Sequence, residues 1–209
     1  TIVCLAGKIE PKSALYKVKQ YFSKIKNKKL LLKPKVIERQ TRPECLLQEK
    51  KTDQTHFCLG CRAYNLFHPK RYAQEVLSVI LGGMMSSRLF IEVREKLGLA
   101  YYISTSDEAD SDTGYVVTQA GVDNRKADKA ISVILKEYKK IAQKRVPLPE
   151  LKKAKDYIKG KMALLLETSD AQASFFGAQE LLEKKILSPE QIYQKIDKVS
   201  QDDILKAAK

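Results

Sequence analysis

The chain has 209 residues, of which 44% are hydrophobic and 31% charged, with a net charge of +14. That length suits one ordinary domain, or one and a fragment, burying roughly 70% of its unfolded surface without a disulfide staple. No apolar run approaches the roughly 20 residues that span a bilayer, which excludes a helical membrane protein.

The charge permits nucleic-acid or acidic-membrane binding. The lysines are mostly spread along helical patterns with Glu or Asp nearby. Only Lys24 to Lys35 is a dense basic block, and neither interleaved aromatics nor a nucleic-acid motif accompanies it. The lysines therefore read as a solvated surface, with no nucleic acid and no membrane expected as partners. No signal peptide is visible and Thr1 is not an initiator Met, so a piece of a longer polypeptide is expected.

In chain order, Thr1 to Gly7 reads as a short apolar strand. Pro11 to Ile25 follows as a helix, with Pro11 in its first turn and Leu15, Val18, Phe22 and Ile25 on one face. Residues 26 to 50, with Pro34 and Pro43, read as a linker or extended crossing segment. Residues 51 to 65 read as a strand with Phe57, Leu59 and Cys61 on one face and His56, Cys58 and Gly60 on the other. Cys58-Leu59-Gly60-Cys61 is formally C-x-x-C, yet residues three apart on a strand point to opposite faces. Cys4, Cys45, Cys58 and Cys61 are therefore expected as buried or half-buried free thiols, which suits a reducing, cytoplasmic compartment.

His68-Pro69 opens a helix carrying Tyr72, Val76, Val79 and Ile80. Gly82 and Gly83 just after it fit a left-handed C-cap. Ser86 or Ser87 can then cap the next helix, on which Phe90, Val93 and Leu97 share a stripe and which Gly98 stops. Arg94 lies in its last turn, where positive charge suits the helix dipole. Strands about 100 to 108 and 114 to 122 follow, joined by the small, acidic residues Asp107 to Thr113. Helices then run from about 125 to 144, 149 to 167 and 170 to 184. Ser188-Pro189-Glu190-Gln191 is a capping box, and Ser200-Gln201-Asp202-Asp203 caps a last short helix. Strands followed by helices indicate an α+β fold, with helices layered on one face of a mostly antiparallel sheet.

Four separated segments, in order, resemble the second half of the M16 zinc peptidases, the insulinase, pitrilysin and processing-peptidase group. They are Asp53-Gln54-Thr55-His56, the stretch from Leu81 to Tyr101, Pro149 to Lys155, and Glu167 to Ala178. The second match is the strongest. The resemblance implies an M16-type α/β roll over residues 51–209, preceded by a linker (28–50) and by a strand and helix (1–27) from the end of a preceding unit. Units of that family end in a strand, which this chain does not reach. Thr1 to Gly7 has that strand's character and is expected to fill the vacant place in the sheet, within the chain or between two copies.

Taken alone, Arg94 is a C-terminal helix cation and Tyr101 a strand aromatic. The resemblance assigns them more: the family's second half offers an Arg and a Tyr to the substrate beside the zinc, and Arg94 and Tyr101 match them. Gly82, Gly83, Ser86, Ser87 and Arg88 match as architecture: hinge, cap and internal salt bridge. The family holds zinc through H-x-x-E-H, and this chain has only His56 and His68, neither in that motif. The implied function is the substrate-binding half of a zinc metalloendopeptidase, with zinc in the parent enzyme or partner half and none held here. The implied partners are a zinc-bearing N-terminal half, a peptide substrate and, as an option, a second copy. Three readings stand beside it: a non-catalytic partner subunit supplying Arg94 and Tyr101 in trans, a structural scaffold, and a basic nucleic-acid module.

Overall fold

The computed structural model describes residues 2–26 and 31–209. Lys28 and Lys29 of the basic block, Thr1, and the expected boundary at 27/28 lie outside the described residues. Three strands, β1 (Gln54–Arg62), β2 (Ala100–Ala109) and β3 (Gly114–Asp123), form an antiparallel sheet in the order β1-β3-β2. β2 and β3 are the hairpin expected from the acidic connection, and β1 pairs with the other side of β3.

Side chains alternate across this sheet. Val116, Thr118, Ala120 and Val122 on β3 are buried with Ile103 and Thr105 on β2. On β1, Phe57 and Leu59 pack against that core while His56, Cys58 and Gly60 are exposed. The covered face carries the helices. α2 (Arg71–Ser78) runs directly into a π-helical turn, Val79–Gly83, and a second π-helical segment spans Phe90–Lys96. After β3 come α3 (Ala127–Gln143), α4 (Leu148–Leu165), α5 (Ser169–Leu182), α6 (Pro189–Asp197) and α7 (Gln201–Ala208). Both expected capping boxes are present: Ser188 with Gln191 opens α6, and Ser200 with Asp203 opens α7. Ile80, Leu89, Ile134, Ile196 and Ile204 are fully buried between the helices and the sheet, so the fold is the expected α+β arrangement.

Several expectations are corrected. Residues 2–6 form no ladder with the sheet. Ile2, Val3 and Leu5 are exposed, and Cys4 instead lies against Gly177 of α5. An apolar run specifies a strand only where a free edge is within reach, and here the segment leads into a helix placed elsewhere. That helix, α1 (Pro11–Phe22), is capped by the Glu10 carboxylate, which accepts from the Lys12 and Ser13 amides. It buries none of its residues, so its predicted apolar face has no cover among the described residues. The four cysteines are free, as expected, but all are exposed. Cys4 and Cys45 lie outside regular structure, while Cys58 and Cys61 lie on an edge strand with one uncovered face.

Neither Gly82 nor Gly83 adopts a left-handed backbone. Gly82 is required for a different reason, a close approach. A Cβ there would lie 2.2 Å from Thr105 Oγ1 and 2.7 Å from the Thr105 backbone nitrogen. The π-helical turn therefore rests directly on β2. Leu97 also departs from the expected stripe and is exposed. The i→i+5 bonding of this segment widens its turn, so Leu89, Phe90 and Val93 form the buried face instead.

The crossing segment is clipped to the hairpin end. Asp112 holds Lys33 Nζ at 2.6 Å and accepts the Val36 amide at 2.9 Å, and Thr113 donates to Glu38 at 2.8 Å. Inside the sheet, Thr105, Thr118 and Tyr138 form a chain of hydroxyls, with separations of 2.7 and 2.6 Å. Burial pushes the Tyr138 phenol up to about 12.

Two outcomes follow from this packing. Gly82→Ala forces a Cβ into the β2 backbone, which no rotamer relieves, and lowers stability in urea titration by about 2–3 kcal/mol. Glu75, on α2, is pushed up to about 7 by desolvation and by Asp107, with Arg71 and Lys161 opposing. A raised carboxyl makes the folded state hold a proton that the unfolded state has lost. Its stabilising contribution is whole below about pH 4.5 and is lost as pH rises through 7. Glu75→Gln flattens that fall and is more stable than the parent at pH 8, by about 3 kcal/mol at most.

Candidate functional site

The site is built where the second π-helical segment hands over to β2. Gly98 takes the left-handed backbone here (φ +55°), and the Leu99 amide turns back to the Val93 carbonyl at 2.9 Å. This closes the helix and aims the chain into β2. Lys126 reinforces the corner by donating to the Gly98 carbonyl at 3.0 Å.

Arg94 projects from the segment just before this corner. Its guanidinium carbon lies 4.9 Å from the centroid of the Phe90 ring. It is exposed and makes no hydrogen bond or ion pair among the described residues. The aromatic support fixes the fork while leaving its donors open.

Tyr101 occupies a defined irregularity. Ala100 faces Val122 and Tyr102 faces Gly121, so Tyr101 is the extra residue of a β-bulge. A bulge re-aims the side chain it carries. Tyr101 is 56% exposed, and its hydroxyl has no partner among the described residues. The structure thus presents both residues, free of internal bonding, at either end of one tight corner.

Two further residues pair with each other on the sheet's open face. Tyr102 lies across Gly121, where a Cβ would fall 2.5 Å from the Tyr102 ring. It stacks on His56 of β1, with ring centroids 5.8 Å apart and Nδ1 to Oη 3.1 Å. The sequence put His56 on the uncovered face; it could not place Tyr102 beside it, because that needs the register of β1 on β3 and β3 on β2. Gly121, a glycine inside a strand, was the available signal of a close approach.

The glycine-serine stretch behaves as support. Arg88 makes a two-pronged pair with Glu150 of α4, Nε to Oε1 at 2.8 Å and Nη2 to Oε2 at 2.7 Å. Lys153, one turn later, donates to the Ser86 carbonyl at 3.0 Å. The Ser87 carbonyl accepts the Ile91 amide at 3.0 Å, but its buried hydroxyl has no hydrogen-bond partner among the described residues. The expected side-chain cap is therefore absent, and Ser86 is exposed and caps through no side-chain bond either. Their smallness, not their hydroxyls, suits the turn.

Among the described residues no cluster of three or more His, Cys, Asp or Glu side chains could hold a metal ion. His56 is bonded to Tyr102, and His68 stacks on Tyr64 with centroids 3.8 Å apart. These residues do not fit a zinc site.

A family model described as the peptidase M16 inactive domain matches residues 1–158. The chain belongs to this M16 family. An uncharacterized zinc protease of Bacillus subtilis (strain 168) is 31% identical over 157 residues, which are 75% of this chain and 38% of that protein. An uncharacterized zinc protease of Mycobacterium leprae (strain TN) is 34% identical over 163 residues, 78% of this chain and 36% of that protein. The M16 domain therefore spans less than two-fifths of the length of these curated relatives. The crystal structure of a protease from Helicobacter pylori shares the fold, with a TM-score of 0.86 at 22% identity, over 97% of this chain and 50% of that one. The names of these relatives, zinc proteases, support a peptidase-related role.

In this M16 domain the Arg88–Glu150 pair anchors the corner that carries Arg94. Both side chains are about one-fifth exposed, at 20% and 21%. Arg88→Ala leaves a half-buried carboxylate unpaired and costs about 2–3 kcal/mol. A double-mutant cycle with Glu150→Ala returns a coupling of at least about 1 kcal/mol; additive effects would show that the pair is incidental.

Proposed function

We propose that this chain is the substrate-gripping, zinc-free half of an M16-type zinc metalloendopeptidase. One observation carries the reading: Arg94 and Tyr101, the two residues that match the family's substrate-facing pair, are both exposed, unbonded and held at one rigid corner. Both side chains therefore keep their donors open to a ligand. In this reading the zinc is held by a second, zinc-bearing half, in the same polypeptide or in a partner subunit.

The division of labour follows from the side chains. The Arg94 fork holds a peptide carbonyl or carboxylate and sets the register of the extended substrate. The Tyr101 hydroxyl donates to the oxygen of the scissile carbonyl as negative charge develops there. The bulge re-aims that donor out of the regular alternation of β2. The four free thiols support a reducing, cytoplasmic location, and no described helix is long and apolar enough to cross a membrane.

The test uses the complete enzyme and a fluorogenic peptide. Tyr101→Phe lowers kcat about 100-fold with little change in KM, as expected for a donor engaged in the transition state. Arg94→Ala acts chiefly on KM, raising it about tenfold. Unchanged turnover in both variants rejects the reading, along with a partner subunit supplying the two residues in trans, and leaves a scaffold.

A further inference from the structure

A second concave site lies away from the Arg94–Tyr101 corner and shares no residue with it. It is enclosed by the corner that opens α2, the α5–α6 connection, and the end of α6 with the start of α7. Its volume is about 460 Å³, within the range of small-molecule sites.

Its charge is one-sided. Lys70, Lys185, Lys195 and Lys198 line it from three different elements. None of the four side chains makes an ion pair or a hydrogen bond among the described residues. The lining carboxylates are both already engaged. Glu183 pairs with Arg71 at 2.8 Å, and Asp203 accepts the Ser200 amide at 2.9 Å and its hydroxyl at 2.6 Å. Asp203 keeps its charge and acts on Lys70, but Lys70, Arg71, Lys185, Lys195 and Lys198 outnumber the two carboxylates, so the cleft stays net positive. Lys195 sits 5.7 Å over the Tyr72 ring and Arg71 4.8 Å over it, so two cations gather on one aromatic ring.

Apart from His68, the remaining lining is apolar, with Leu66, Phe67, Pro69, Leu187 and Val199 as its larger side chains. An excess of ammonium groups around a largely apolar floor describes a ligand with one highly charged end and one hydrophobic body. A phosphoryl group supplies the charge density that lysines, as point charges, bind well.

We infer that this cleft binds a small phosphorylated ligand. Its phosphoryl oxygens are met by Lys70, Lys195 and Lys198, and its apolar part rests on Phe67 and Leu187. The inference does not depend on the peptidase reading, since it uses none of the same residues.

Isothermal titration of the intact protein with phenyl phosphate, with inorganic phosphate and with benzoate, at constant ionic strength, is the test. The expected result is saturable 1:1 binding of phenyl phosphate, weaker binding of inorganic phosphate and weaker still of benzoate. Lys195→Glu with Lys198→Glu, both exposed and remote from the core, reduces phenyl phosphate affinity by about tenfold or more. Reversal of two exposed lysines elsewhere, Lys139→Glu with Lys144→Glu, leaves it within about twofold. The inference is overturned by non-saturable binding, by equal loss in both double variants, or by benzoate binding as tightly as phenyl phosphate. Circular dichroism of each variant confirms that a loss is not unfolding.

Discussion

Contact between Gly82 and the backbone of Thr105 is the constraint on which the rest of the domain depends. It lets the π-helical end of α2 rest on the side chain and backbone of Thr105 in β2. Everything that follows in the chain starts from that seat: the small-residue turn, the second π-helical segment, the Gly98 corner and the bulged entry to β2. A methyl group at residue 82 would lift the helix layer off the sheet and move the corner that carries Arg94. The conformational freedom of glycine is not what is used there. The space is, whereas at Gly98 the left-handed backbone itself is required.

Electrostatics then fix the corner from the other side. Arg88 reaches across 62 residues of sequence to Glu150, and Lys153 reaches back to Ser86. The strongest segment of family resemblance and the segment around Pro149 to Lys155 are thus two halves of one joint. This explains why neither makes sense as a local motif. Arg88 is bonded and shielded; Arg94, six residues on, is exposed and open. Two arginines of one helix are divided between holding the fold and facing outward.

Much of this was legible in the chain. Short-range rules depend on neighbours in sequence, so the Ser188 and Ser200 capping boxes, the β2–β3 hairpin and the alternation of Phe57 and Leu59 against His56 and Cys58 were readable from residues alone. Other features depend on what arrives from far away. Periodicity showed which residues of α1 share a face, but not whether anything covers it, and nothing described does. Gly82 and Gly83 after an apolar run have the composition of a C-cap, and only the position of Thr105 distinguishes a cap from a close approach. The bulge at Tyr101, the Tyr102–His56 stack and the lysine-lined cleft all require the register of strands or the meeting of three helices. The pairing of an Arg and a Tyr seven residues apart came from family resemblance; the geometry adds that both are unbonded and outward-facing.

The central claim is that Tyr101 and Arg94 face bound peptide, and it can be tested without relying on rate. Tyr101 is replaced by a photoreactive benzoyl-phenylalanine in the complete enzyme. Labelled peptide is bound under conditions that block cleavage, and the crosslinked product is mapped by mass spectrometry. The account predicts crosslinks from residue 101 to the peptide beside its scissile bond, suppressed by excess unlabelled peptide. Saturable peptide binding with no crosslink from residue 101, but with crosslinks from probes on another face, would contradict it.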